Sequence, residues 1–208
     1  REARMILTGL YDSPFARRVA LALHIHGIPF ERAVLSVFGD FEAVMRANPL
    51  GRAPALQLDD GRVISDSRAI IEWIEDPAAG FGGPRLAPEG AHARFAMLEA
   101  EGLAIGLADK AVARSAENRR PAQLQDREQI LRLEKQLASG LDWLERWADR
   151  RSTSGEPDRA DLAAVCAATY LAHKWPGAYD ADARPALEHY RAGWEARAPF
   201  AQAPFPVD

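Results

Sequence analysis

A single cysteine, Cys166, stands among 208 residues, which excludes an internal disulfide and any all-cysteine metal site. Long apolar runs are missing as well. None approaches the roughly 20 residues of a membrane-spanning helix, and Met5 to Leu10 is too short for a signal-peptide core and flows into polar residues. Positive charge has no surplus. Lys and Arg number 26 against 30 Asp and Glu, a formal net charge of −4, so neither nucleic acid nor an anionic membrane is indicated as a partner. The five histidines show no metal-ligand spacing, and His24 and His26, two apart on a helix, point in different directions. No metal is expected. There is no internal repeat and no low-complexity tract. Together these absences fit a reducing, cytoplasmic setting. What remains is an ordinary globular composition, 48% hydrophobic and 27% charged, in a chain long enough for one large domain or two small ones. Arg1 to Arg4 precede the first apolar run and are set apart from the fold, with Met5 the expected native start.

The first 75 residues alternate between strand and helix signals. Met5 to Leu10 reads as a short buried strand. Pro14 to His26 reads as a helix, with Val19, Ala22, Leu23 and His26 at three- and four-residue spacing, ended by Gly27 and Pro29. Phe30 to Leu35 is a second strand, and Phe41 to Ala47 a short helix closed by Asn48-Pro49. Ala55 to Leu58 and Arg62 to Ser65 flank Asp59-Asp60-Gly61, a hairpin signal. Ser67 to Glu75 is again helical. This order predicts a compact α/β unit on a mixed sheet, spanning residues 5–80.

Between 77 and 90 the composition turns to Pro and Gly, the mark of an interdomain linker. Gly80-Phe81-Gly82-Gly83 is no dinucleotide fingerprint, since no strand precedes it and Pro84 follows. Residues 88–208 then read as all-helical. Ala91 to Glu117 is long and rich in Ala, Leu and Glu. Asp126 to Arg150 sets Ile130, Leu133, Leu137, Leu141, Leu144 and Trp147 on one stripe. Asp158 to His173 is apolar all round, as the centre of a bundle would be, with Asp158 and Asp161 placed for a capping box. A last helix runs from about Ala183 to Arg197. Trp143, Trp147, Trp175 and Trp194 read as bundle core. Of these, Trp175, at a helix end in His173-Lys174-Trp175-Pro176, is the candidate for lining a hydrophobic substrate pocket.

Three short stretches of the α/β unit carry chemistry. In Tyr11-Asp12-Ser13-Pro14-Phe15, Ser13 is the natural N-cap and Pro14 fits the first helical position. The hydroxyl and the helix start can serve the helix alone, or can also meet a thiolate or phosphate. In Asn48-Pro49-Leu50-Gly51-Arg52-Ala53-Pro54-Ala55-Leu56, a proline directly precedes a strand. A cis Ala53–Pro54 bond would leave the Ala53 N–H and C=O outside the ladder, open to an extended peptide. In Ser65-Asp66-Ser67-Arg68-Ala69-Ile70, a hydroxyl and N–H groups at a helix start can hold a carboxylate, or serve only as turn and cap.

These landmarks, with Arg18-Val19, Gly27-Ile28-Pro29-Phe30-Glu31, Asp158-x-x-Asp161 and Arg197-Ala198-Pro199-Phe200, resemble the cytosolic glutathione transferase family over essentially the whole chain from Met5. The nearest likeness is to bacterial members with a Ser-Pro-Phe or Ser-Pro-Tyr site. The resemblance implies a thioredoxin-like N-terminal domain and an all-helical bundle that builds the electrophile pocket, with glutathione as co-substrate and a homodimer as the assembly. It implies that Ser13 donates to the glutathione sulfur and that Ala53, before a cis Pro54, pairs with the cysteinyl unit. Asp66 and Ser67 would hold the γ-glutamyl end, and Arg52 the glycyl carboxylate. The implied reaction is conjugation of a glutathione thiolate to a small electrophile. A protein of this fold that binds but catalyses little, and a glutathione-dependent isomerase or dehalogenase, are the alternatives. Asp66 departs from the more usual Glu, and Tyr11 offers a second hydroxyl two residues before Ser13. Cys166, in the helical half, does not stand where a cysteine-type thiol reductase needs it, and the double-serine-cysteine signature of maleylacetoacetate isomerases is missing.

Overall fold

A computed structural model describes residues 5–206, so Arg1 to Arg4 lie outside the described residues. The N-terminal elements are β1 (Met5–Thr8), α1 (Pro14–Ile25), β2 (Phe30–Ala33), α2 (Phe41–Ala47), β3 (Ala55–Gln57), β4 (Val63–Ser65) and α3 (Ser67–Glu75). The strands form one sheet in the order β2-β1-β3-β4. β1 pairs in parallel with β2 and antiparallel with β3, and β3 and β4 form the expected hairpin. Gly61 N–H donates to Leu58 C=O at 2.9 Å to close its turn. Each strand is shorter than the stretch the sequence predicts, because pairing stops where a neighbour runs out: Leu10 lies beyond the last partner of β1.

α1 is buried from Pro14 to Leu23 except at Phe15, and it packs against α3, which turns Ile70, Ile71 and Ile74 inward. The glycine-rich stretch after α3 is ordered by specific contacts. Glu75 accepts the Leu86 N–H at 2.7 Å, and Phe81 meets Trp73 edge-on with ring centroids 5.0 Å apart.

The helical elements are α4 (Ala91–Asn118), α5 (Arg127–Ala148), α6 (Arg159–Lys174), α7 (Pro176–Tyr179), α8 (Pro185–Glu195) and α9 (Ala198–Gln202). α6 packs against α4, α7 and α8 and is buried without interruption from Arg159 to Leu171, the central place its all-round apolarity predicts. Its capping box is formed in both directions: Asp158 accepts the Asp161 N–H, and Asp161 accepts the Asp158 N–H at 2.7 Å. Asp161 also takes Arg151 Nη2 at 2.6 Å and the Tyr190 hydroxyl. Burial and the Asp158 carboxylate push its acid up, and Arg151 and these donors pull it back. Trp194 is buried, while Trp143 and Trp147 stack together against Ala87, Met97, Ala100 and Ala160.

The chain divides into two compact units, one running to Leu86 and resuming at Ala198, the other Ala87–Arg197. The last stretch therefore groups with the sheet, although its sequence places it with the helical half. Arg17 Nε, on α1, donates to Ala203 C=O at 2.7 Å, and Phe200 and Ala203 are fully buried. The last long helix ends at Glu195, before Pro199, and a separate short helix begins at Ala198 with Pro199 in its first turn. Proline is tolerated in a first turn, where its missing N–H has no helical partner.

Candidate functional site

The loop between β1 and α1 is shaped by Gly9. It has a φ of +140°, and a Cβ there would lie 2.7 Å from the Cβ of Ala16 and 3.2 Å from that of Ala53. Only glycine lets β1 end with the start of α1 on one side and the Ala53 loop on the other. Ser13 then caps α1 as expected: its Oγ accepts the Ala16 N–H at 3.3 Å, with Pro14 at the first helical position. The cap occupies an oxygen lone pair and leaves the O–H proton free to donate.

Asn48 organises the next loop. Its Nδ2 donates to Arg52 C=O at 2.8 Å, and its Oδ1 accepts the Leu50 N–H at 3.0 Å. Both arms of one buried amide thus hold the turn that carries Arg52 and Ala53. Gly51, at φ +61°, lies under Phe41, whose ring would stand 2.3 Å from a Cβ at that position. The Ala53–Pro54 peptide is cis. The sheet ladder begins at Ala55, so Ala53 stays outside it. Arg52 is exposed.

At the start of α3, Asp66 takes φ +78° and ψ 128°, a conformation costing a non-glycine residue on the order of 1–3 kcal/mol and kept where the surroundings over-determine it. Its Oδ1 caps the Arg68 N–H at 2.8 Å, and Oδ2 makes no hydrogen bond among the described residues. Ser67 is buried, and its Oγ accepts Nη1 of Arg18 at 3.2 Å. Ser13 therefore starts α1, Ala53 stands at the entry to β3 and Asp66 and Ser67 follow the end of β4, with Gly9 between the first turn of α1 and Ala53.

Tyr11 is engaged by β2. Its ring lies under the Arg32 guanidinium of β2, 3.4 Å from the ring centroid. Burial raises its phenol above the ordinary value and Arg32 draws it partly back. Trp175 lies in the helical unit, where its indole N–H donates to Ser115 Oγ at 2.9 Å and Arg114 covers its ring. Both polar and apolar parts of that side chain are thus engaged by α4.

Two further residues that organise the site carry a signal readable in the sequence. Gly9 interrupts an apolar run, the mark of a close backbone approach. Asn48 stands where an Asx turn would place it. The Arg18–Ser67 hydrogen bond has no such signal, since it joins residues 49 apart.

Among the described residues, no three His, Cys, Asp or Glu come together as metal ligands would. No helix of the described residues is long and apolar enough to cross a membrane. A family model described as Glutathione S-transferase, N-terminal domain, matches residues 7–82, the span holding all three site stretches. The uncharacterized GST-like protein YibF of Escherichia coli (strain K12) is 31% identical over 168 residues, covering 80% of this chain and 82% of YibF. A glutathione S-transferase from Methylobacterium radiotolerans, solved with glutathione sulfonate, superposes with a TM-score of 0.88 at 28% identity, over 99% of this chain and 97% of that one. One from Methylobacillus flagellatus, solved with GSH bound, gives 0.84 at 29% identity, over 96% and 98%. The chain belongs to the glutathione S-transferase family, with the thioredoxin-like sheet and the mostly helical C-terminal region of that fold.

Proposed function

We propose that this protein is a glutathione transferase that uses Ser13 to stabilise the thiolate of bound glutathione for attack on a small electrophile. The observation that carries the reading is the state of two serines at two helix starts. Ser13 and Ser67 each spend a lone pair on the fold, accepting from Ala16 and Arg18, and each keeps an O–H to donate. An extended tripeptide would run between them past Ala53, whose backbone the sheet leaves unpaired. Its carboxylate end would meet Ser67, its ammonium Asp66 and its glycyl carboxylate Arg52. A free thiol has a pKa of about 8.5 and is mostly protonated at neutral pH. A hydroxyl donor at a helix N-terminus lowers that value and raises the nucleophilic fraction. The sulfur then forms a bond to the electrophilic carbon as the leaving group departs.

Ser13 is favoured over Tyr11 because the first turn that it caps and Ala53 both close on Gly9, whereas Tyr11 is held under Arg32. Retention on immobilised glutathione, followed by conjugation assays with a halonitroarene, tests the reading. Ser13→Ala is expected to lower kcat/KM at least tenfold while glutathione is still bound. Wild-type rates in that variant would pass the role to Tyr11. Binding without turnover of any electrophile would favour a binding protein of this fold, and turnover of isomerase or dehalogenase substrates alone would favour that class. Absence of binding would end the glutathione reading.

A homodimer is part of the proposal, the N-terminal unit of one copy meeting the helical unit of the other. Large apolar side chains left in water on both units support it, Leu50 at 73% exposure and Phe95 at 66%. Light scattering is expected to give twice the chain mass, and a monomer at micromolar concentration would refute it. Work in the cytoplasm fits the one buried, unbridged Cys166. Finding the protein in an oxidising compartment on cell fractionation would contradict it.

A further inference from the structure

The strand registers align Ala33, Thr8, Ala55 and Ser65 in one row across the order β2-β1-β3-β4. From that row the chain runs on to Ser13 after β1 and to Asp66 and Ser67 after β4, and it enters β3 from Ala53. The proposed tripeptide contacts beyond Ser13 thus belong to strands on one edge of β1. β2 flanks the opposite edge, and its Arg32 stands one residue before the row. Tyr11 links the two edges. It shares with Ser13 the turn closed by the Ser13 N–H on Leu10 C=O at 3.2 Å, so the Cα atoms of Tyr11 and Ser13 are at most about 7 Å apart. Tyr11 is buried and Arg32 exposed, and the guanidinium carbon lies 3.4 Å from the ring centroid. That spacing is a stack of planes, which leaves the N–H edge of the fork directed outward. None of its five N–H donors finds an acceptor among the described residues, and neither Asp12 nor Glu31 pairs with it. The groups whose titration feels its charge are Tyr11 and His24, and neither is an anion at neutral pH. A cation held in place without a counter-ion therefore stands beside the proposed sulfur position, on the edge that the tripeptide leaves open.

We propose that Arg32, held on the face of Tyr11, is a specificity-determining residue that selects electrophiles bearing a carboxylate on the group joined to sulfur. A planar carboxylate takes two parallel N–H···O bonds from the guanidinium fork, and a neutral amide of the same shape does not. With an aryl chloride, the thiolate forms the C–S bond and chloride leaves with the electron pair of the broken C–Cl bond. The carboxylate keeps its charge throughout. The inference rests on the transferase reading above and adds to it the charge of the second substrate.

Calorimetric titration of the full chain with two conjugates tests this: S-(4-carboxybenzyl)glutathione and the neutral S-(4-carbamoylbenzyl)glutathione, with glutathione as control. The wild type is expected to bind the carboxylate about tenfold more tightly, the scale of a charge-assisted hydrogen bond. Arg32→Met, which keeps the stem on the ring, is expected to bring the two Kd values within about twofold of each other. Arg32→Lys is expected to restore part of the preference. In the wild type, raising NaCl from about 20 to 300 mM is expected to narrow it, as for an exposed charge. Tyr11→Phe keeps the ring and should keep the preference, whereas Tyr11→Leu removes the platform and should lose most of it. In turnover, the ratio of kcat/KM for 4-chloro-3-nitrobenzoate to that for 4-chloro-3-nitrobenzamide is expected to fall about tenfold in Arg32→Met. A preference or a rate ratio that survives Arg32→Met would overturn the proposal. Equal weakening of all three ligands in that variant, or failure of both Arg32 variants to fold by circular dichroism, would overturn it too and leave Arg32 as scaffold. A wild type that binds glutathione and treats the two conjugates alike overturns this inference alone, whereas one that binds none of the three overturns the glutathione reading with it.

Discussion

Asp66 carries two duties that a single substitution separates. Its carboxylate caps α3 through Arg68 N–H, and its backbone sits at φ +78°. Asn can serve both, since its side-chain oxygen caps equally well and it tolerates the left-handed region. Asp66→Asn is therefore expected to leave urea stability within about 0.5 kcal/mol while weakening glutathione by about tenfold, through loss of a charge partner for the ligand ammonium. Asp66→Ala loses the cap as well and is expected to cost about 1–3 kcal/mol. Unchanged glutathione binding in Asp66→Asn would remove this carboxylate from the site. At this scale the cap residues Ser13, Asp66 and Asp158 were legible in the sequence, because a cap acts on N–H groups two or three residues away. The engagement of Tyr11 by Arg32 was not, because it depends on which strand lies beside β1.

Among the elements, α1 joins the site to a titrating group at its far end. His24 stands in its last turn, its ring 5.2 Å from that of Phe30, with a buried Nε2 that finds no partner among the described residues. Burial, and then the nearby Arg32 charge, lower its pKa below the ordinary 6.5. The unfolded chain then binds the proton more readily than the folded one, so stability rises with pH across this interval. On acidification the wild type is expected to lose stability as pH falls through about 6.5, with the loss ending once pH is below the folded value. Urea midpoints between pH 7.5 and 5 check this, and His24→Leu should follow a flatter curve. Parallel curves for the two proteins would show that His24 contributes nothing to the slope. Helix existence was readable from period and caps, and element ends were not. β1 stops at Thr8 and α8 at Glu195 because pairing partners and neighbouring packing decide where regular structure ends.

At the scale of the whole molecule, the chain leaves the sheet unit near Leu86 and returns to it at Ala198. Phe200, fully buried on the short helix α9 that packs against α1, is the anchor of that return. Phe200→Ala is expected to cost about 3–5 kcal/mol, as large-to-small core changes do. Hydrogen exchange should show the lost protection concentrated in Pro14–Ile25. Deprotection confined to Arg159–Lys174 instead would mean that the C-terminal stretch supports the helical unit. Since α1 carries both Ser13 and Arg18, the same variant should weaken glutathione binding without altering any proposed contact residue.

By itself the sequence determined the alternation of strands and helices, the change to an all-helical half, the caps, and the three stretches that bear chemistry. Each of these follows from forces acting over a few residues: periodicity, backbone preference and local hydrogen bonds. Tertiary structure alone decided that Arg32 covers Tyr11, that Arg18 holds Ser67 across 49 positions, and that the last residues close back on the first helix. Those are contacts between residues far apart in the chain, and they arise only when the whole core packs to native density and buried polar groups find partners in it.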